Sequence, residues 1–313
     1  MEVAVAGARE VIAGSEGMVA RARGENFPVA SRLLPAVLRR DLMAVYGFAR
    51  LVDDLGDEAD GDRLALLDWA EAELHRAVLG SAEHPVFERL EPVLRTGFVP
   101  YGAFVDLIEA NRQDQRVRRY ATIADLRSYC MLSAAPVGRI VLGLVRMATP
   151  DRLALSDEVC IGLQVVEHLQ DIGEDAERDR IYLPREDLDR FGCDESDLHA
   201  PRASDDLRAL VAFEACRARA SLWCGRELVA GLSGRLRWMV AGFVAGGMAA
   251  LDAIEAADFD PLATRCRPKS TRVLLRAGLL SSVRWNGRQA PPPSVAASTA
   301  TMSPGREPDR SEA

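Results

Sequence analysis

Apolar positions recur at helical spacing along almost the whole of this chain. Steps of three and four residues run through 36–58, 62–79, 84–96, 101–118, 123–147, 152–177, 204–230 and 233–257, with a last pattern at 270–282. No β-alternating run of useful length interrupts them. Gly, Pro and Asp occupy the short joints, as helix–helix connections require. The pattern predicts one all-α domain, a helical bundle over residues 24–285, behind an N-terminal lead-in at 1–23. Residues 286–313, rich in Pro, Ser, Ala and charge, are expected to form a disordered tail.

Two stretches break the usual amphipathic pattern. At about 100° per residue, Leu163, Val165, Val166, Leu169 and Ile172 cover most of a helix's circumference. Gln164, Glu167, His168, Asp171, Glu174, Asp175 and Arg178 share the remaining third. A helix apolar around most of its girth belongs in a core, so its polar stripe must face an internal cavity. Asp171 and Asp175 stand one turn apart and repel each other, a conflict that a divalent cation resolves. The same design recurs 118 residues earlier. Asp53 and Asp57 lie at i and i+4 with Tyr46 and Arg50 on their face, and Phe48, Val52 and Leu55 lie opposite. Magnesium prefers oxygen ligands and keeps waters and substrate phosphates in its shell. Two facing carboxylate pairs thus make a cradle for Mg²⁺ bound to a diphosphate, Asp53, Asp57, Asp171 and Asp175 being the ligands. Two solvated helix faces are the competing interpretation.

Composition narrows the partners. The net charge of −8 and pI near 5.2 argue against nucleic acid. The six cysteines are scattered without C-x-x-C spacing, which fits a reduced, cytoplasmic protein without structural zinc. The start, Met1-Glu2-Val3-Ala4, lacks the features of a secretory signal, and no uninterrupted apolar stretch of about 18 residues is present. No phosphate-binding Gly-rich loop, dinucleotide fingerprint, Ser/His/Asp pattern or Glu-x-x-His pair is visible. Of the histidines, His75, His84 and His199 are expected at the surface. His168 sits on the polar stripe, where it either orients water, acts as an acid or base, or serves as a hydrogen-bonded support.

The motif pair resembles the squalene/phytoene synthase family of isoprenoid enzymes. The first motif is Tyr46-x-x-x-Arg50-x-x-Asp53-Asp54-x-x-Asp57-Glu58. The second is Gln164-x-x-Glu167-x-x-x-Asp171-x-x-Glu174-Asp175, closed by Arg180-Ile181-Tyr182-Leu183-Pro184. The likeness covers roughly residues 24–280. Glu25–Ser31 and Glu167-His168-Leu169-Gln170-Asp171 are most similar to the hydroxysqualene synthase branch of bacterial hopanoid biosynthesis. The resemblance implies an isoprenoid-synthase bundle around a central cavity, using Mg²⁺ or Mn²⁺ and no NADPH. It implies ionisation of presqualene diphosphate, ring rearrangement and capture by water to give hydroxysqualene, a carbon–oxygen lyase reaction. The alternatives are a condensing prenyltransferase that joins two allylic diphosphates such as farnesyl diphosphate, and a catalytically silent scaffold.

By the same resemblance, Arg50, Arg178 and Arg180 assist the diphosphate, with Asn26 and Ser31 as further phosphate contacts or simple helix caps. Tyr46, Tyr129 and Phe243 are candidates to stabilise a carbocation through their π faces. Gln164, Glu167 and His168 are candidates to hold the water. Ser133, Val137 and Gly138 flank Pro136, whose kink lines the pocket in the family. The Gly242–Met248 stretch forms either a tunnel wall or plain core. Many family members carry Asn at Glu167 and Arg at Gln170, a difference that favours one diphosphate over two. The basic run Arg265–Arg272 closes over diphosphate, touches anionic lipid, or is a solvated face. A lipid substrate implies peripheral contact with the inner face of the plasma membrane, and a presqualene diphosphate synthase as a partner handing it over.

Overall fold

The structure, a computed structural model, describes residues 34–267 and 270–282. The lead-in, the tail, Asn26 and Ser31 lie outside the described residues. Four helices form the first half: α1 (Ala36–Asp57), α2 (Arg63–Leu79), α3 (Pro85–Arg95) and α4 (Tyr101–Asp114). The chain continues through α5 (Ile123–Ser133), α6 (Ala135–Leu144), α7 (Pro150–Gln170), α8 (Ile172–Glu177) and α9 (Arg185–Phe191). A 3₁₀ turn at Glu195–His199 leads to α10 (Asp205–Trp223), α11 (Gly225–Ala230), α12 (Gly234–Ala256) and α13 (Ser270–Ser282). No strand occurs among the described residues; an isolated parallel bridge joins Arg119 to Ile181.

Helix starts carry the expected caps. Asp62, Thr149 and Ser204 accept backbone N–H bonds at the heads of α2, α7 and α10, and Thr122 with Asp125 forms a capping box on α5. Three of the long predicted helices are broken. The 123–147 pattern divides at Ala134, placing Pro136 in the first turn of α6, where its missing N–H costs nothing. The 204–230 pattern divides at Cys224, ahead of the weak helix former Gly225. The 152–177 pattern divides at Asp171 (φ −108°, ψ 15°). Just beyond that break, a Cβ on Gly173 would stand 3.2 Å from Leu262, so the turn is held close to a neighbouring segment. The 101–118 pattern ends early, at Asp114, and α9 fills a region where no helix is predicted.

Two cores flank the site. In the first, Phe48 meets Phe87 and Phe104 edge-on at 5.7 and 5.3 Å, and all three rings are fully buried. Burial of each ring contributes about 1.5–3 kcal/mol. The second gathers around α7, where Val165, Val166 and Leu169 join Leu222, Val244 and Leu251. Leu144 packs against both cores. By length and apolarity α12 is long enough to cross a membrane, yet most of it is buried inside this second core.

His84 departs from its expected place at the surface. It is buried, its Nδ1 accepts the Val86 N–H at 3.2 Å to cap α3, and its ring meets Trp69 and Phe87 edge-on. His75 and His199 are exposed as expected.

Candidate active site

The first motif lies along the side of α1 away from its core. Phe48, Val52 and Leu55 are fully buried, leaving Tyr46, Arg50, Asp53, Asp54 and Asp57 on the remaining surface. Solvent reaches Asp53, yet burial pushes its pKa up to about 7, reinforced by Asp57 and Asp54 and opposed by a hydrogen bond from Asn111 and by Arg50. Asn111 Nδ2 donates to Asp53 Oδ1 at 3.3 Å. It can approach because residue 56 is glycine: a Cβ there would stand 2.2 Å from Asn111 Oδ1. Arg50 is engaged within its own helix, pairing with Asp54 at 2.9 Å and Glu58 at 3.3 Å.

The second motif straddles the break between α7 and α8. Asp171 is the junction residue: its N–H bonds to Glu167 O, and its own carbonyl accepts from Asp175 N–H at 2.8 Å. The one-turn register of the two carboxylates therefore survives the bend. Burial raises Asp175 to about 7, and Asp171 adds to the effect. Asp171 is more open; burial and Glu174 raise its pKa, against Arg265, Arg178 and Arg267.

Arg180 joins the two motifs. Its Nη2 donates to Asp57 Oδ1 at 2.6 Å, and its charge also acts on Asp175 and Asp114. Asp114, at the end of α4, has its pKa pushed up to about 6 by burial. Its Oδ2 accepts the Tyr129 hydroxyl at 2.8 Å, while Oδ1 is buried with no hydrogen-bond partner. Above it stands an aromatic wall. Tyr129 lies 5.4 Å from Tyr120 and 5.7 Å from Tyr182, and His168 stacks on Tyr182 at 3.7 Å with planes 12° apart. His168 reaches Gln164 at 3.4 Å, with Asp175 4.0 Å from its Nδ1. Burial lowers its pKa to about 3, so the imidazole is neutral and cannot serve as a general acid at neutral pH. His168, Asp175, Arg180 and Tyr182 line a small recess.

The remaining candidates are scattered more widely. Arg178 and Glu167 are exposed near the second motif, and the Arg178 carbonyl accepts from Arg118 at 3.4 Å. Ser133 sits at the break between α5 and α6 with its hydroxyl buried and without a hydrogen bond. Val137 packs against the first core. Gly138 faces α7: a Cβ there would stand 2.2 Å from Ser156 Oγ and 2.8 Å from Cys160 Sγ. Its absent side chain lets α6 approach α7 closely. Phe243 is half-buried against the second core. Cβ atoms on Gly242 and Gly246 would meet nothing within 4 Å, so that face of α12 adjoins unfilled space.

Sequence reasoning missed Asn111, Asp114 and Tyr120, and treated Tyr182 only as motif punctuation. A signal existed for the first two. They continue, in register, the buried stripe of Phe104, Leu107 and Ile108 on α4, and a polar residue on such a stripe needs a partner.

Among the described residues no three His, Cys, Asp or Glu side chains converge as a ready-made metal cage. The donor set still fits magnesium. It is all oxygen, arranged as two pairs, and within each pair burial and like charge raise an aspartate to about 7. A hard cation relieves that penalty, and Mg²⁺ is commonly held by one or two carboxylates plus phosphate and water.

An all-α bundle with two Asp-x-x-x-Asp pairs linked through Arg180 is an arrangement of the isoprenoid-synthase type. The chain belongs to the squalene/phytoene synthase family, which it matches over residues 20–276. It is 38% identical over 213 residues to hydroxysqualene synthase from Rhodopseudomonas palustris, covering 66% of this chain and 71% of that one. To phytoene synthase from Thermus thermophilus it is 33% identical over 277 residues, covering 86% and 93%. A crystal structure of squalene synthase HpnC from Alicyclobacillus acidocaldarius superposes with a TM-score of 0.71 at 45% identity, covering 74% of this chain and 88% of that one. A dehydrosqualene synthase, at 24% identity and TM-score 0.74, shares the fold over 88% of this chain and 96% of its own. The protein is thus an isoprenoid-biosynthesis enzyme with the isoprenoid-synthase helical fold.

Proposed function

We propose that this protein is a hydroxysqualene synthase: presqualene diphosphate and water are converted to hydroxysqualene and diphosphate. The observation that carries this reading is the bridge from Arg180 to Asp57, which sets the two carboxylate pairs beside the wall of Tyr129, Tyr182 and His168. Asp53, Asp57, Asp171 and Asp175 would hold Mg²⁺, which when bound neutralises a leaving diphosphate.

The chain's own groups supply the rest. Arg180 donates to the departing oxyanion, with Arg178 at the rim. The carbon–oxygen electron pair leaves with the diphosphate. The cyclopropylcarbinyl cation opens beside the aromatic wall of Tyr129 and Tyr182, whose π electrons attract positive charge without attacking it. Neutral His168 and Gln164 orient one water for addition to the cation. Its proton passes to the departing diphosphate, because an imidazole this weakly basic does not retain it.

The one-diphosphate reaction is favoured over condensation by Gln170. Its amide donates to the Cys266 carbonyl, so residue 170 brings no positive charge to the site and is committed to holding a loop. Purified protein with Mg²⁺, given presqualene diphosphate or farnesyl diphosphate in turn, tests the proposal by product analysis. Hydroxysqualene from presqualene diphosphate is expected. Consumption of farnesyl diphosphate alone would overturn it.

A further inference from the structure

We propose that the outer face of α13 is a docking surface for a negatively charged lipid bilayer. Three large hydrophobic side chains on this 13-residue helix point away from the protein: Leu274, Leu275 and Leu279 are 72, 69 and 68% exposed. Ala277 is buried and Leu280 packs on the second core, so the inner face is already satisfied. Arg276 is turned to Asp252 of α12, fixing the rotation of the helix and directing the leucines outward. A helix that is apolar on both sides, with one side exposed, requires a second apolar medium.

Charge selects that medium. From Pro261 to Ser282 the sequence has five basic residues and no acidic one, in a chain whose net charge is −8. Arg265 and Arg276 are paired with Glu174 and Asp252, and Arg267 and Arg272 are exposed outside those pairs. Arg272 is exposed beside the leucines. An apolar face with a cationic flank on an otherwise acidic protein matches an anionic membrane surface. A second copy of this chain is a poorer occupant, because a symmetric pairing through α13 would set the cationic segment against itself.

The location ties docking to the site. The segment before α13 is fastened to the second motif by Gln170 on the Cys266 carbonyl and by Arg265 on Glu174. Arg265 and Arg267 act electrostatically on Asp171. A membrane bound by α13 would therefore lie near the carboxylate cleft. That consequence rests on the lipid substrate proposed above, whereas the docking surface itself does not.

Co-sedimentation of the full chain with phosphatidylcholine vesicles, and with vesicles containing phosphatidylglycerol, separates these possibilities. Binding to the anionic vesicles is expected, with at least a tenfold weaker affinity for the neutral ones and in high salt. Leu274→Ser/Leu275→Ser/Leu279→Ser and, separately, Arg272→Glu should each reduce it about tenfold. Turnover of detergent-dispersed substrate should be unchanged in the leucine variant, which keeps docking distinct from chemistry. Absence of vesicle binding, or binding indifferent to both variants, would overturn the proposal. So would a wild-type dimer in solution that the leucine variant dissociates without any vesicle binding.

Discussion

Arg180 Nη2 and Asp57 Oδ1 lie 2.6 Å apart, joining residues separated by 123 positions in sequence. The guanidinium is also close enough to Asp114 and Asp175 to stabilise their charged forms. One cation thus holds together three acidic elements: the end of α1, the end of α4, and α8. Removing it leaves those carboxylates facing one another and strips the cleft of a donor for the departing anion. Arg180→Gln should lower kcat by on the order of 10²-fold or more, the usual scale for losing a preorganised oxyanion donor. Arg180→Lys should recover only part of this, because a point charge cannot reproduce the planar fork. Steady-state kinetics on both variants checks the ranking; a fully active Arg180→Gln would show that the bridge is only architectural.

Asp53 and Asp175 both have folded-state pKa values near 7, well above the ordinary carboxylate range near 4. Between those limits the folded protein binds protons that the unfolded chain has released. Linkage then requires metal-free stability to fall as pH rises from about 4 to about 7. In EDTA the melting temperature should be lower at pH 8 than at pH 6, and the drop should shrink in Asp53→Asn and Asp175→Asn. Both variants should match or exceed the wild type in stability at pH 8 while losing almost all turnover. Adding Mg²⁺ with inorganic diphosphate should raise the melting temperature of the wild type far more than that of the variants. Thermal shift measurements across pH decide this, and variants less stable than wild type at pH 8 would contradict it.

The helical architecture was legible because each core helix has a continuous apolar stripe, as α1 does through Phe48, Val52 and Leu55. The breaks were harder to read. Asp171 ends α7 without interrupting the 3.6-residue period, so periodicity ran straight through it. The Asp-x-x-x-Asp spacing exposed the two acidic pairs because i, i+4 geometry is local. The Arg180–Asp57 bridge, Asn111 on Asp53 and the stacking of His168 on Tyr182 depend on how distant helices pack. The close approach of Gly138 to Ser156 is of the same kind, set by how α6 meets α7 and not by local spacing.

Gly56 acts on the site through Asn111. A methyl group at residue 56 would stand 2.2 Å from Asn111 Oδ1, and Asn111 is buried with little freedom to yield. Gly56→Ala should therefore displace the amide from Asp53, although alanine itself favours the helix. The hydrogen bond lowers the Asp53 pKa, so its loss should raise that pKa further and weaken metal binding at neutral pH. The expected signature is a severalfold higher Mg²⁺ requirement and a pH–activity profile shifted upward. Asn111→Ala should give the same two effects without the clash, and the double variant should be no worse than the singles. Additive losses would indicate that Gly56 acts through packing alone.

His168 distinguishes orientation from proton transfer in the proposed water capture. Its pKa is lowered to about 3 by burial, and it rests against Tyr182 with Gln164 as a hydrogen-bond neighbour. Since the neutral form persists across the working pH range, no inflection near 6.5 in the pH–rate profile should belong to this residue. His168→Phe keeps the stacking area but removes both ring nitrogens. It should leave diphosphate release within about threefold of wild type, since the groups that bind the leaving group are untouched. Product composition should change instead: with the water no longer positioned, the cation is lost to elimination or stray capture, and the hydroxysqualene fraction falls. Following diphosphate release and product distribution on one sample separates these outcomes. Loss of diphosphate release in parallel with hydroxysqualene would place His168 in the ionisation step instead.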